Sequence, residues 1–202
     1  MLSDLVDTLP ESSLVLETER LVLRPLCEND ADIGLALFTD PRVVEYVCDL
    51  ATPEEVVQRL PIETRRGAGG RLGIWVATCK ETQTKVGTGV LLPLPVEIED
   101  TDWSLLIEDT YPEAEIEVGY MLVPEAWGKG YATEICARLL RFGFTETALE
   151  EIKATTDPEN TASQHVLKKC GMCDEGLRRA YATSCSGFGL TREAWQSNRK
   201  QK

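Results

Sequence analysis

Apolar and polar residues follow two periods along this chain. Leu21 and Leu23 alternate with Val22 and Arg24 until Pro25 stops the run, so the period of two predicts a first strand. Asn29-Asp30 predicts a cap for a helix carrying Ile33, Leu37 and Phe38. Asp40-Pro41 opens a second, short helix with Val44 and Val47. Thr52-Pro53-Glu54-Glu55 opens a third, with Thr52 as N-cap, Pro53 in the first turn, and Val56, Val57 and Leu60 on its apolar side. The RRGAGG run at 65–70 reads as a solvated loop. Residues 72–78 and 86–92 read as two strands of a hairpin joined through 80–84, with Gly87 and Gly89 marking close packing or a bulge.

The rest of the chain is organised around residues 117–144, EVGYMLVPEAWGKGYATEICARLLRFGF. Val118, Tyr120 and Leu122 alternate with Gly119 and Met121, which predicts a buried strand ended by Pro124 and Glu125. Gly128 and Gly130 flank Lys129 in a turn. Ala132, Ile135, Cys136, Leu139 and Leu140 then recur at the spacing of one helical face. Strand, glycine turn and helix together can aim free backbone N–H groups at an anion, because the first N–H groups of a helix lack internal partners and its dipole is positive there. An ordinary turn before an amphipathic helix is the plainer reading. A Walker loop fails, since position 123 is Val and position 130 is Gly, and a dinucleotide fingerprint fails at Thr133.

Further on, EIKATT at Glu151–Thr156 is another strand, and Asn160 or Thr161 caps a helix with Ala162, Val166 and Leu167 on its apolar face, ending at Gly171. Two strands and a short turn close the chain. The residues alone predict a mixed α/β (α+β) single domain. Its expected limits are 14–196, between a flexible leader at 1–13 and a tail at 197–202.

Composition narrows the function. With 202 residues, 43% of them hydrophobic, there is enough for one good core. A net charge of −13 disfavours direct nucleic-acid binding and suits a cationic partner such as an amine. No apolar run approaches a membrane span and no secretory signal opens the chain, so no membrane association is expected. The seven cysteines are odd in number and irregularly spaced, which reads as reduced thiols in a cytoplasmic protein. Cys170, Cys173 and His165 lack a second ligand pair, so no metal is expected. Residues 97–117 hold nine acids and no Lys or Arg, either a funnel for a cation or a solvated insertion.

WGKGYATE, preceded by EVGYMLVPEA, resembles the coenzyme A pyrophosphate loop of the GNAT superfamily of N-acetyltransferases, in the branch that includes ribosomal-protein N-terminal (RimJ/RimL-type) acetyltransferases. TERLVLRPL, the order Asn160, Ser163, Leu167, Lys169, Gly171, and LTREAW are similar to further segments of that branch, in the same order, so the likeness spans 17–196. Met172 stands where the family usually has Phe. The resemblance implies a central, mostly antiparallel sheet of about seven strands flanked by helices, with one strand splayed at the CoA site. It implies acetyl transfer from acetyl-CoA directly to a primary amine, on a protein N-terminus or a small molecule, by a monomer or homodimer. Met121, Leu122 and Val123 would hold the pantetheine arm, and the amides of Trp127, Gly128, Lys129, Gly130, Tyr131 and Ala132 the pyrophosphate. Asn160 resembles a pantetheine contact, or only caps its helix. Glu117 is the candidate base, its pKa raised by burial and by Glu115 and Glu113, or a carboxylate held by strand neighbours. Ser163 is the candidate thiolate partner, since the family's Tyr is replaced by Leu167, or a surface hydroxyl. A non-catalytic acyl-CoA-binding module is the alternative.

Overall fold

The period-two runs pair into one sheet and the period-3.6 runs pack on both its faces. The structure, a computed structural model, describes residues 6–200. Helix α1 (Glu11–Leu14) and strand β1 (Leu16–Glu17) precede β2 (Leu21–Pro25), α2 (Ala31–Phe38), α3 (Pro41–Val44) and α4 (Pro53–Glu63). Next come β3 (Gly73–Cys79), β4 (Lys85–Pro93), β5 (Ile116–Leu122), α5 (Tyr131–Glu146) and β6 (Glu151–Thr156). The chain continues through α6 (Thr161–Lys169), β7 (Cys173–Ala180), β8 (Thr183–Thr191) and α7 (Arg192–Lys200). The sheet has eight strands in the order β1-β2-β3-β4-β5-β6-β8-β7. The strand beyond the expected seven is β1, whose two residues are too few to show a period. All neighbours are antiparallel except β5 and β6, which run parallel and register only at Glu117 and Lys153.

Side chains alternate across the sheet, so neighbouring residues face different layers. Trp75, Val118 and Leu122 pack with Ile135, Leu139 and Phe142 of α5, and Trp75 meets Phe142 edge-on at 5.5 Å. Each fully buried Leu, Ile or Phe on this helix contributes roughly 2 kcal/mol of gross hydrophobic stabilisation. Gly89 is required beneath it, since a Cβ there would lie 2.5 Å from Ile135. The opposite layer joins Val76 and Met121 to Ile33 and Leu37 of α2 and Leu60 of α4. Thr52 caps α4 as expected, and Glu55 completes a capping box with it.

Four local expectations change. Residues 1–5 of the expected leader lie outside the described residues, but 6–13 are anchored: Val6 N–H donates to Asp109 O at 2.8 Å and Leu9 N–H to Gly69 O at 2.9 Å. At the other end, α7 carries the chain through 197–200, where a tail was expected. The RRGAGG loop is not solvated, because Arg66 stacks 4.0 Å from the Trp75 ring centre and donates to the carbonyls of Gly70 and Ile74. The acidic segment folds back on this loop: Ile107 O accepts from Ala68 N–H at 2.9 Å, and Asp100, Glu97 and Glu115 pair with Arg59, Arg179 and Arg178.

Asp30 does not cap α2 with its side chain. Its carboxylate is buried against Arg24 (2.6 Å), Lys85 (2.8 Å) and the N–H of Cys27 (2.9 Å), which hold it well below the usual carboxylate range against the opposing effect of burial. Removing it leaves the Arg24 guanidinium without its carboxylate, while Lys85 keeps only its pair with exposed Asp32. Asp30→Ala is expected to lower stability by about 3 kcal/mol in urea titrations at neutral pH. A depressed pKa gives stability that is present above the unfolded value and lost on acidification, so the variant and wild type converge at low pH.

Candidate active site

The single β5–β6 register pair makes the site. Beyond Glu117 and Lys153 no further β5–β6 pair forms, so the carboxyl ends of the two strands diverge around an opening. Val123 N–H donates to Val86 O at 3.1 Å. Main-chain groups of an antiparallel strand alternate in direction, so Met121 also faces β4, and the N–H and C=O groups turned toward β6 are those of Tyr120 and Leu122. Of the three residues expected to hold a pantetheine arm by their main chain, only Leu122 therefore presents it to the opening. Its carbonyl accepts from Trp127 Nε1 at 2.9 Å, which leaves its N–H as the donor on that side.

Glu117 stands at the apex of the opening and is 4% exposed. It shares its side of β5 with Met121, facing the layer of α2 and α4, by strand alternation. The Tyr181 phenol, at the tip of the β7–β8 hairpin, donates to Glu117 Oε1. Burial pushes the Glu117 carboxyl up to about 7, against the lowering effects of Tyr181 and of Arg178. The expected push from Glu113 and Glu115 is absent from these causes; Glu115 is paired with Arg178 and Glu113 is exposed.

Ser163 lies on the other face, half-buried at the start of α6. Its Oγ is 3.0 Å from Tyr120 Oη, which also donates to Ser163 O at 3.2 Å. Burial raises the Tyr120 pKa, so the phenol remains a neutral donor. Asn160 acts as N-cap, its Oδ1 accepting from Ser163 N–H at 3.0 Å. Leu167 is in the core, 1% exposed. His165 is exposed.

At the mouth, Gly128 (φ +71°) and Gly130 (φ +81°) both occupy the left-handed region that favours glycine. A Cβ on Gly128 would meet nothing within 4 Å. Gly130 is the N-cap of α5 and offers no side chain to its first amides. Arg20 fixes this loop from behind, donating to Lys129 O (2.9 Å) and to Glu134 Oε2 (2.9 Å), with its guanidinium 4.7 Å above the Tyr131 ring. The Tyr131 phenol turns to Cys79 Sγ at 3.6 Å, so Tyr131 and half-buried Ala132 face the mouth only through their backbone. Lys129 and Trp127 are exposed. A backbone cradle with open space before it and a helix N-terminus beneath it fits a pyrophosphate. Among the described residues, no group of three or more His, Cys, Asp or Glu gathers as a metal site.

Sequence reasoning did not find Arg20, Tyr120 or Tyr181. Tyr120 was visible only as an alternating strand residue. Arg20 and Tyr181 carry no local signal, since their partners Glu134 and Glu117 are 114 and 64 residues away.

Residues 20–173 match the profile of the acetyltransferase (GNAT) domain family. An N-acetyltransferase named p20 from Bacillus licheniformis is 31% identical over 171 residues, covering 82% of this chain and 86% of that protein. The FsC-acetyl coenzyme A-N(2)-transacetylase of Aspergillus fumigatus is 27% identical over 195 residues, covering 89% of this chain and 77% of that one. Among solved structures, RimL, the ribosomal L7/L12 α-N-protein acetyltransferase in complex with coenzyme A, superposes with a TM-score of 0.67 at 12% identity, covering 89% of this chain and 99% of that chain. With the family profile covering most of its length, the chain belongs to the GNAT family of acetyltransferases.

Proposed function

We propose that this enzyme transfers an acetyl group from acetyl-CoA directly to a primary amine. The observation that carries the reading is the β5–β6 opening, with a buried carboxylate at its apex on one face, a hydroxyl pair on the other and a glycine-rich anion cradle at its mouth. The amides of 127–132 would bind the pyrophosphate, and the thioester would lie along the opening beside the Leu122 N–H, a donor for the oxygen that becomes negative. The amine enters on the α2–α4 side. Glu117 accepts its proton as the new C–N bond forms. The departing thiolate is protonated from the Ser163–Tyr120 pair.

The acceptor is a protein α-amine or a small-molecule amine. The fold neighbours include an aminoglycoside acetyltransferase, which supports the small molecule, and an α-N-protein acetyltransferase, which supports the protein terminus. Seven cysteines, odd in number and irregularly spaced, suit a reducing, cytoplasmic compartment.

CoA release from acetyl-CoA, followed across a panel of amines and short peptides, tests this reading. Turnover with at least one amine is expected, and mass spectrometry during turnover should find no acetyl-enzyme, because transfer is direct. Acetyl-CoA binding without turnover on any amine would make the chain an acyl-CoA-binding module. A stable acetyl-cysteine would overturn direct transfer.

A further inference from the structure

Glu117 is too enclosed to meet an amine unaided, being 4% exposed with one oxygen covered by the Tyr181 phenol. Tyr181 is the less buried of the pair, and the negative charge of Asp100 in the exposed acidic segment acts on it. Tyr181 is thus the hydroxyl bonded to the enclosed base that is itself partly exposed. Its backbone is unusual. Tyr181 (φ +51°) and Ala182 (φ +55°) form a two-residue hairpin turn in the left-handed region, where Asn and Gly are the usual residues. This conformation is unfavourable for a bulky residue and is stable only where its surroundings enforce it. Here they do: Tyr181 N–H donates to Pro95 O at 3.1 Å and Ala182 N–H to Val96 O at 3.0 Å. The turn holds a phenol on a buried carboxylate at the expense of a locally unfavourable backbone.

We propose that Tyr181 is a catalytic proton relay between the amine and Glu117. As the amine nitrogen bonds to the thioester carbon, its N–H proton passes to Tyr181 Oη, and the proton already on Oη passes to Glu117 Oε1. The phenol is restored within the step, Glu117 becomes neutral, and the S–C electron pair leaves with the thiolate. No oxidation state changes. The other charged or titratable groups facing Glu117 are Arg178 on β7, which opposes its protonation, and Cys185 on β8. Lys153, its register partner on β6, is bonded to Glu151 (2.8 Å) and Glu175 (2.9 Å).

The relay rests on the acetyltransferase reading and on Glu117 as base, and its test separates the three. Tyr181→Phe keeps the ring and removes the relay oxygen. Turnover is expected to fall by about 10- to 100-fold with acetyl-CoA affinity unchanged. The acid limb of the pH–rate profile should move to higher pH, because the carboxylate loses a donor. The Tyr181→Phe/Glu117→Gln double variant should be no slower than Glu117→Gln alone, since both changes break one path. A carboxyl-carbon NMR titration gives a readout independent of catalysis, in which the Glu117 pKa should rise in Tyr181→Phe. Wild-type turnover and pH profile in Tyr181→Phe, with Glu117→Gln slow, overturns the relay and leaves Glu117 as base. An unmoved Glu117 titration overturns it whatever the activity. If neither variant slows a functional wild type, relay and base fall together and acetyl transfer stands.

Discussion

Glu117→Gln is expected to reduce turnover by about 100-fold or more at neutral pH, the usual cost of losing general-base help. An ammonium has no lone pair for attack, and Gln keeps the size and hydrogen-bonding shape of Glu but takes no proton. Acetyl-CoA affinity should hardly change, since the carboxylate faces the α2–α4 side of the sheet, where the amine is proposed to enter. In the wild type kcat/KM should fall below about pH 7, where burial places the Glu117 titration. The variant should lose that limb and recover part of its rate at high pH, where the amine arrives neutral. Stability moves the opposite way. The folded-state pKa is raised from 4.5 to about 7, so the folded protein binds the extra proton between these values. Its contribution is therefore fully present below about 4.5 and lost as pH rises through 7. A shift of this size corresponds to about 3 kcal/mol. Thermal unfolding at pH 8 should show Glu117→Gln more stable than wild type, and at pH 4 the two should coincide. Full activity at neutral pH together with equal melting at pH 8 would falsify both the role and the buried charge.

What the sequence made legible was what depends on neighbours a few residues apart. The strand at Glu151–Thr156, the Thr52 cap and the glycine turn before α5 follow from local sterics and period, and they stand where expected. The RRGAGG run has a loop composition, but its burial is decided by Trp75 and by the carbonyls of 107–108, and no local pattern shows these. Asp30 looked like a cap because Asp precedes helices. The cations that claim it come from β2 and β4, which converge only in the folded sheet. For the site, resemblance singled out Glu117 and Ser163, which the fold carries on β5 and α6. It did not show that they occupy opposite faces of the sheet, nor that each has a tyrosine hydroxyl as its partner. The assignment of main-chain groups at the opening failed for Met121 and Val123 because it ignored the two-residue alternation of β5.

Gly130→Val should weaken acetyl-CoA binding by about 100-fold or more while leaving the fold intact. Two effects combine. At φ +81° a β-branched residue is strained, and relaxing it rotates the amides of the α5 N-terminus away from their common focus. A Cβ would also lie 3.4 Å from Arg20 Nη2, so the added methyl groups press on the guanidinium that holds Lys129 O. Hydrogen bonds to a charged phosphate are worth roughly 1.5–3 kcal/mol each, so losing two accounts for a change of that size. The fold should survive because Gly128, Lys129 and Gly130 are exposed and the buried face of α5 begins at Ile135. Gly176 supplies the control. It has nearly the same backbone (φ +80°), a Cβ added there would meet nothing within 4 Å, and it sits on the edge strand β7. Gly176→Val carries a similar backbone penalty away from the loop, so calorimetry should return the wild-type Kd for it and a strongly raised Kd for Gly130→Val. Equal dissociation constants for the two folded variants would show that the turn before α5 does not hold the pyrophosphate.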